Sequence, residues 1–186
     1  PSREKEGCGL NPAARGAIAE NGSSLIITVD TGITAVEDVD FAKKAGVDVV
    51  ITDHHQCRDV LPAAEAVVNP HRPDCDYPFK ELSGVGVAFK TVCALEAAFS
   101  YNEKYDSSVS DSMCKKYIDL VAIGTVADVM PLVDENRIIV SKGLKMLRYT
   151  KRPGLKALMK FSGIDVSKPG KITAASIGYT IAPRID

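Results

Sequence analysis

Tryptophan is missing from this chain of 186 residues, and aromatic residues make up only 6% of it. The five cysteines are odd in number and widely spaced, and no Cys-x-x-Cys pair occurs. This spacing argues against a disulfide framework or a four-cysteine zinc site and favours reduced thiols. The chain also lacks an apolar run long enough to span a membrane and lacks the pattern of a signal peptide. We therefore expect a cytoplasmic protein that does not bind membranes.

An excess of charge of either sign is lacking too, because 23 Lys and Arg residues nearly balance 24 Asp and Glu residues. The net charge of −1 gives no global signal for nucleic-acid binding, so any basic surface must be local. The length suffices for one sizeable core, or for one domain and part of another. Since the sequence starts at Pro1 rather than Met and stops at Asp186, straight after an apparently structured segment, we expect a piece of a longer protein.

Three short apolar runs predict strands, at residues 24–30, 47–53 and 66–69. The first two are apolar enough to predict buried strands. Between them, Thr34 and Glu37 have the spacing of a capping box, and Gly46 is placed to end a helix. A strand, a helix and a strand joined by short turns form a βαβ unit, whose strands are parallel. The predicted fold class is therefore α/β, with a parallel sheet and flanking helices.

The remainder of the sequence has mainly helical periodicity. Prolines mark an irregular loop over residues 70–82, and the polar stretch 101–111 predicts a surface connection. The predicted helices cover residues 84–100, 112–124, 134–149, 154–161 and 171–181. We expect the sheet domain to be followed by a mainly helical region.

An acid and two imidazoles follow the second predicted strand, as Asp53, His54 and His55. Another acid, Asp30, follows the first. Because the carboxyl ends of neighbouring parallel strands meet at one edge of a sheet, about 5 Å apart, these side chains are expected to converge. Carboxylate and imidazole are ligands of divalent metals, and this mixture favours Mn²⁺ or Mg²⁺ over a structural zinc. Taken alone, Asp30 is equally well explained by the turn at Gly32.

A site with two metal ions needs more ligands than two strands supply. Asp128 is the best further candidate, a lone carboxylate in an apolar segment, although a helix-end aspartate is the favoured explanation when it stands alone. Gly84 and Gly86 open a predicted helix and either present N–H groups to a phosphate or allow close packing. Arg137 and Arg184 are candidate phosphate contacts that, taken singly, are more typical of solvated surface charges.

In this order, the motifs resemble those of a known superfamily. Val29-Asp30-Thr31-Gly32, Asp53-His54-His55 and Asp128 are similar to the second, third and fourth motifs of the DHH phosphoesterases. Further matches resemble the RecJ family of single-stranded-DNA-specific exonucleases over nearly the whole chain. They lie at residues 6–10, 61–70, 84–90, 125–132, 135–137 and 182–185.

The resemblance implies a phosphodiesterase dependent on Mn²⁺ or Mg²⁺, which degrades single-stranded DNA from the 5′ end in DNA repair and recombination. It implies a DHH catalytic domain over residues 1–140 and a helical connecting region over residues 141–186. The partners it implies are single-stranded DNA, single-strand binding protein and a RecQ-type helicase. The family is typically monomeric.

The resemblance also implies roles at the matched positions. Asp30 would bridge two metal ions, and His54 and Asp128 would be further metal ligands. His55 would contact the scissile phosphate, and Asp53 would orient the imidazoles as the second member of the catalytic pair. The candidate nucleic-acid or phosphate contacts are then Arg184, Arg137, Gly84 and Gly86.

Three departures from the family pattern matter. The first motif, an Asp-x-Asp that supplies metal ligands, has no counterpart and is expected to precede Pro1, which leaves the two-metal site incomplete. The C-terminal domain and the nucleic-acid-binding fold of full RecJ proteins are absent. Cys8 and Asp186 stand where the family usually has tyrosine and asparagine. We expect the isolated 186 residues to bind Mn²⁺ weakly and to cleave DNA poorly or not at all.

Two other functions stay open at this point. Another branch of the superfamily would act on short oligonucleotides, cyclic dinucleotides or pyrophosphate, although residues 61–70 resemble RecJ. A catalytically inactive RecJ-like protein would be a DNA-binding scaffold, although the presence of Asp30, His54, His55 and Asp128 argues against such a loss. An Asp-x-Asp motif before Pro1 would favour catalysis over the scaffold.

Overall fold

The computed structural model describes residues 22–99, 107–164 and 172–185. The chain divides into two compact units, Pro1–Lys80 and Glu81–Asp186. The described part of the first unit holds a small sheet and that of the second is helical, which is the predicted order. The predicted domain boundary at residue 140 is the expected end of the DHH domain of the family, not a division between compact units. It stays a prediction. The motif at residues 6–10, with Cys8, lies outside the described residues.

A parallel three-stranded sheet is the centre of the first unit. Its strands are β1 (Leu25–Val29), β2 (Asp48–Thr52) and β3 (Ala66–Val68), in the spatial order β1-β2-β3. Val29 pairs with Thr52 and Thr52 pairs with Val68, so the three strands end side by side. All three predicted strands and their parallel arrangement are confirmed.

Helix α1 (Val36–Lys44) forms the crossover between β1 and β2. Its buried residues Val39 and Ala42 pack in one cluster with the apolar side chains of β2, because the helix covers that face of the sheet. The predicted capping box is wrong, since the helix begins after Ala35, which makes no side-chain cap hydrogen bond. The predicted stop is confirmed, because Gly46 has φ 76°, a conformation that glycine adopts without strain.

Strand β1 is not buried as its apolar sequence predicts. Leu25, Ile27 and Val29 are 50%, 60% and 52% exposed, whereas Thr28 is buried. In the described sheet, β1 is an edge strand and β2 is the central one. Apolar composition reports strand propensity, but it does not report which faces of the strand other elements cover.

The second unit contains four longer helices among its described residues. They are α2 (Gly84–Phe99), α3 (Ser107–Ala127), α4 (Asp134–Leu147) and α5 (Pro153–Phe161). The chain then forms a short α-turn, a π-helical turn and a 3₁₀ turn, at Ala174–Ser176, Ile177–Ile181 and Ala182–Arg184. The predicted helices are confirmed with two corrections: α3 begins inside the predicted connection 101–111, and the last predicted helix is only partly α-helical.

The helices of the second unit approach one another closely. Buried apolar side chains form a common core of Ile123, Leu147, Met159, Ile172, Ile177 and Ile181. Gly143 of α4 lies against α3, where an added Cβ atom would meet the Ile118 carbonyl oxygen at 2.6 Å. Asn136 is fully buried, and its Nδ2 donates to the carbonyl oxygens of Glu81 at 2.6 Å and Pro131 at 3.0 Å. It therefore fixes the turns that precede α2 and α4.

Two features expected from composition can be compared with the described residues. Among the described residues, Cys57, Cys75, Cys93 and Cys114 form no disulfide bond. Within residues 22–99, 107–164 and 172–185, no helix combines the length and the apolar character that crossing a membrane requires.

Candidate metal centre at the strand ends

The carboxyl ends of β1 and β2 bring two predicted acids to one edge of the sheet. Asp30 follows β1 and Asp53 follows β2, directly after the paired residues Val29 and Thr52. The Asp30 N–H donates to the Thr52 carbonyl at 2.9 Å, and the Asp53 N–H donates to the Val68 carbonyl at 3.0 Å. The expectation that these strand ends meet is confirmed.

Asp53 is the buried acid of this edge, with 1% of the residue exposed. Its Oδ2 accepts from the Ile33 N–H at 2.9 Å. Its Oδ1 accepts from the N–H groups of His54 and His55 at 2.8 and 3.2 Å, and lies 2.7 Å from His55 Nδ1. One carboxylate therefore fixes both the turn after β1 and the two histidines after β2.

These hydrogen bonds also determine the charge of Asp53. Burial by itself would raise the pKa of this carboxyl, because a carboxylate loses hydration inside a protein. The hydrogen bonds from Ile33, His55 and His54 favour the charged form, and together they hold the pKa of Asp53 below its usual value. An anion whose oxygens are occupied by this chain is suited to orient neighbours rather than to bind a metal directly.

Asp30 and His54 face each other beside this buried carboxylate. His54 is buried, and its Nε2 lies 3.1 Å from Asp30 Oδ1. The Asp30 side chain is 53% exposed. Of the two acids at the strand ends, Asp53 is therefore buried and Asp30 is accessible to solvent. Asp30 has φ 62°, a left-handed conformation that costs about 1 kcal/mol or more for a residue with a Cβ atom.

The His55 ring is fixed through one nitrogen and is largely exposed to solvent. An ionised carboxylate can only accept, so Nδ1 carries the proton that it shares with Asp53. In the neutral ring, Nε2 then keeps its lone pair and is the atom that can bind a metal or accept a proton. The His55 side chain is 59% exposed, and its ring centroid lies 4.5 Å from that of His54.

The donor atoms of Asp30, His54 and His55 fit a divalent metal ion. One ligand atom from each residue lies within 4.8 Å of the other two. Donors held about 2.1 Å from one octahedral ion lie about 3 to 4.2 Å apart, so small rotamer changes separate this arrangement from coordination. Over the described parts of the chain, no second group of three acids, histidines or cysteines has this spacing. Carboxylate oxygen and imidazole nitrogen are both ligands of divalent metals, and the carboxylate suits Mn²⁺ or Mg²⁺.

Asp128, the remaining predicted ligand, belongs to the second unit. It directly follows α3, and its N–H donates to the Gly124 carbonyl at 2.9 Å, in the last turn of that helix. The next residue, Val129, has φ 55° and is 87% exposed, a strained conformation for a β-branched side chain. The ligand role of Asp128 stays a prediction.

The predicted phosphate contacts also lie in the second unit. Gly84 and Gly86 are buried at the start of α2, where Ser83 Oγ accepts from the Gly86 N–H at 3.2 Å. An added Cβ atom at Gly86 would meet Ser83 Oγ at 3.3 Å, so close packing already accounts for this glycine. Arg137 is exposed on α4, and Arg184 is exposed with Nη1 donating to the Thr180 carbonyl at 2.5 Å.

The sequence-based reasoning missed two residues that support the centre. Asn69 is 3% exposed, its Nδ2 donates to the His55 carbonyl at 2.9 Å, and its Oδ1 accepts from the His71 N–H at 2.8 Å. A signal existed, because Asn69 follows β3 as Asp53 follows β2. The backbone N–H of Ile33 leaves no comparable signal, since any residue provides the same donor.

The fold and this centre together define an α/β protein with a candidate divalent-metal site at the carboxyl ends of a parallel sheet. The sequence model described as "DHH family, N-terminal domain" matches residues 3–125. This match spans well over half of the chain, and the chain belongs to the DHH family.

Relatives with known names agree with this assignment. The chain is 48% identical to the single-stranded-DNA-specific exonuclease RecJ of Bacillus subtilis (strain 168), over 100% of this chain and 22% of that protein. The crystal structure of exonuclease RecJ bound to manganese matches with a TM-score of 0.80 and 32% identity, over 100% of this chain and 43% of that one. RecJ in complex with Mn²⁺ from Thermus thermophilus matches with a TM-score of 0.73 and 32% identity, over 93% and 24%. The chain thus spans about a fifth to two fifths of the proteins it resembles.

Proposed function

We propose that this chain is part of the catalytic core of a single-stranded-DNA-specific 5′→3′ exonuclease of the RecJ type, acting in DNA repair and recombination. The observation that carries the proposal is the cluster of Asp30, His54 and His55 oriented by Asp53. The likeness of the whole chain to RecJ exonucleases supports the same conclusion. No comparable support exists for pyrophosphate, cyclic dinucleotides or a scaffold, which become outcomes of the test.

The proposed cofactor is Mn²⁺ or Mg²⁺, with Asp30 as the bridging acid and His54 as a ligand. Asp128 is proposed as a further ligand, because the resemblance to the family implies it. Divalent ions bound at such a centre lower the pKa of bound water and neutralise the charge of a phosphodiester. The donor set fits this requirement, and the two solved relatives named above contain manganese.

His55 is the proposed catalytic residue of this chain. Its ring is anchored at Nδ1 by Asp53, so its Nε2 edge keeps one orientation at the exposed face of the centre. Once protonated at Nε2, the ring would donate a hydrogen bond to the scissile phosphate, whose negative charge grows in the transition state. Asp53 is the positioning residue, because its buried negative charge stabilises the imidazolium and fixes its direction.

The remaining elements of the proposal concern the substrate and the partners. Single-stranded DNA is the substrate, contacted along its backbone by Arg184, Arg137 and the N-terminal turn of α2 at Gly84 and Gly86. For the whole protein we propose a cytoplasmic monomer that acts beside single-strand binding protein and a RecQ-type helicase. The resemblance to RecJ supports these partners, and a pull-down with the full-length protein tests them.

The test uses the full-length parent protein with Mn²⁺ on 5′-labelled single-stranded DNA and on blunt duplex DNA. We expect stepwise release of mononucleotides from the single strand only. His55→Ala should lower the rate by about 100-fold or more, as loss of general acid–base assistance does. His71→Ala is the matched control, because His71 is the third histidine of the chain and lies outside the cluster.

Equal degradation of duplex DNA would contradict the proposed strand specificity, and full activity of His55→Ala would contradict the role of the centre. If DNA of both kinds stays intact, the same protein should be assayed on pyrophosphate and cyclic dinucleotides. Hydrolysis of these would indicate another branch of the family. Binding of DNA without any hydrolysis would indicate the scaffold.

A further inference from the structure

A local basic region lies in the second unit of this nearly neutral chain. Between Glu135 and Asp165 the sequence has no acidic residue and eight cationic ones. They are Arg137, Lys142, Lys145, Arg148, Lys151, Arg152, Lys156 and Lys160. All eight are on α4, on α5 or on the turn between these helices. Such a concentration of charge attracts polyanions even when the whole protein has almost no net charge.

Part of this region surrounds a pocket of about 480 Å³ between the end of α4 and helix α5. Its inner wall is apolar, because Leu147 and Met159 are 0% and 2% exposed. Arg148, Lys156 and Lys160 line the same pocket, and both lysines are exposed to solvent. The size is within the range of pockets that hold one small ligand, about 300–1,000 Å³.

Arg148, which lines this pocket, has one donor without an acceptor among the residues that the structure describes. The Nε atom of Arg148 is buried and makes no hydrogen bond with them. A buried N–H group without an acceptor is costly, so native proteins rarely retain one that no ligand or water serves. The nearby Arg152 shows the contrast, because its Nε donates to Asp119 Oδ2 at 3.1 Å and its Nη2 donates to the Lys116 carbonyl.

We propose that this pocket binds a backbone phosphate of single-stranded DNA, together with the attached nucleotide. The Arg148 guanidinium would donate to a phosphate oxygen, and Lys156 and Lys160 would neutralise its charge. The apolar wall would receive the sugar or the base. Tyr149 and Phe161, each next to a pocket cation in the sequence, are 81% and 82% exposed and offer stacking surfaces for neighbouring bases.

The occupant follows from this combination of charge and shape. A single strand can place one phosphate and its nucleotide in a concave pocket, whereas a duplex keeps its bases paired and stacked. The identity of the polyanion as DNA rests on the proposed function. The site itself rests on the pocket, its three cations and the buried Arg148 donor.

The test measures binding of a fluorescently labelled oligothymidylate to the full-length protein in EDTA, by anisotropy at several salt concentrations. The variant K156Q/K160Q removes two pocket charges. The variant K142Q/K145Q removes two charges from exposed positions of α4 that do not line the pocket. We expect the pocket variant to bind about tenfold or more weakly at 0.1 M salt, with a salt slope lowered by about 1.4, since each phosphate contact contributes about 0.7. The control variant should lose less than about threefold.

Arg148→Lys adds a second criterion, because it keeps the positive charge and removes the Nε donor. We expect weaker binding with an unchanged salt slope, which a diffuse electrostatic field does not produce. Circular dichroism and thermal unfolding of every variant identify a loss that comes from misfolding.

Equal losses in the pocket and control variants would overturn the proposal in favour of a diffuse field. Unchanged binding in both, or no binding by the wild-type protein, would also overturn it. The assay needs no hydrolysis, so its outcome is separable from the proposed function. If the pocket variant binds more weakly and the protein never cleaves DNA, the exonuclease proposal is refuted and the pocket proposal stands. If the protein cleaves DNA and the variants bind normally, the pocket proposal is refuted and the exonuclease proposal stands.

Discussion

The strand-end centre and the basic pocket are built in opposite ways. At the strand ends, one carboxylate with 1% exposure accepts from three backbone N–H groups and contacts one imidazole, through distances of 2.7 to 3.2 Å. At the pocket, cations follow one another along α4 and α5, and two of the three are exposed lysines. Chemistry at a phosphorus atom needs donors fixed within about 0.5 Å, whereas a flexible polyanion can be bound by mobile charges.

This difference predicts that substitutions in the two regions act on different observables. Changes at the strand ends should alter metal affinity and rate. Changes in the basic pocket or in the helix packing of the second unit, away from Asp128, should alter DNA affinity or stability and leave metal affinity unchanged. The three predictions below test this division in order of decreasing effect.

Asp30→Ala should have the largest effect, because it removes the exposed acid that we propose as the bridging ligand. We expect Mn²⁺ affinity and exonuclease rate to fall by about 10³-fold or more, which corresponds to the several kcal/mol that a metal centre contributes. Titration calorimetry with Mn²⁺ and single-turnover assays on the full-length protein measure both quantities. Asp48→Ala is the control, because Asp48 is an exposed acid at the opposite end of β2. Unchanged Mn²⁺ affinity in Asp30→Ala would contradict the assignment.

Asp53→Asn should have an intermediate effect on rate and a clear effect on stability. The amide of asparagine has one oxygen and one nitrogen where the carboxylate has two oxygens. Either the Ile33 N–H or the His55 donors therefore lose their acceptor. We expect a rate lowered by about 10- to 100-fold and a free energy of unfolding lowered by about 1–3 kcal/mol. Asp59→Asn, at an exposed loop position, controls for the loss of one negative charge. A variant that keeps the wild-type rate while His55→Ala is inactive would show that Asp53 does not position the ring.

Gly143→Ala should affect stability alone. The added methyl group would press against α3 near the Ile118 carbonyl, and relief requires the two helices to separate. We expect the free energy of unfolding to fall by about 1–3 kcal/mol, with Mn²⁺ affinity unchanged. Gly154→Ala is the matched control, because an added Cβ atom there meets nothing within 4 Å. The control should leave stability unchanged or raise it by up to about 1 kcal/mol. Equal destabilisation by both substitutions would argue against close packing at Gly143.

Much of the fold was predictable because its signals are local. The apolar runs and their spacing identified the three strands, and the helical periodicity identified α2, α4 and α5 to within a few residues. The start of α1 was not predictable, since Ala35 begins the helix in place of the capping residue that the pattern at Thr34 suggested. The turn there is held by the Ile33 N–H and Asp53, a contact between residues 20 positions apart.

The two acids at the strand ends show the limit of the sequence for the site. Asp30 and Asp53 are the same residue type, each directly after a parallel strand, and the sequence places both at one edge. Nothing in their local patterns indicates that Asp53 faces inward to the Ile33 N–H and the histidines, or that Asp30 stays 53% exposed opposite His54. That division depends on which neighbouring backbone donors are within reach, and only the folded chain defines it.

The sequence by itself determined the element order, the strand-end residues and the choice of a hard divalent metal. Periodicity, turn chemistry and ligand type depend on residues close together in the chain, so they can be predicted without a structure. The tertiary structure decided which acid is buried against backbone N–H groups and which one stays exposed. It also decided that Arg148 meets Lys156 and Lys160 around one pocket. These outcomes depend on packing between distant segments, because burial removes water and obliges each polar group to find a specific partner.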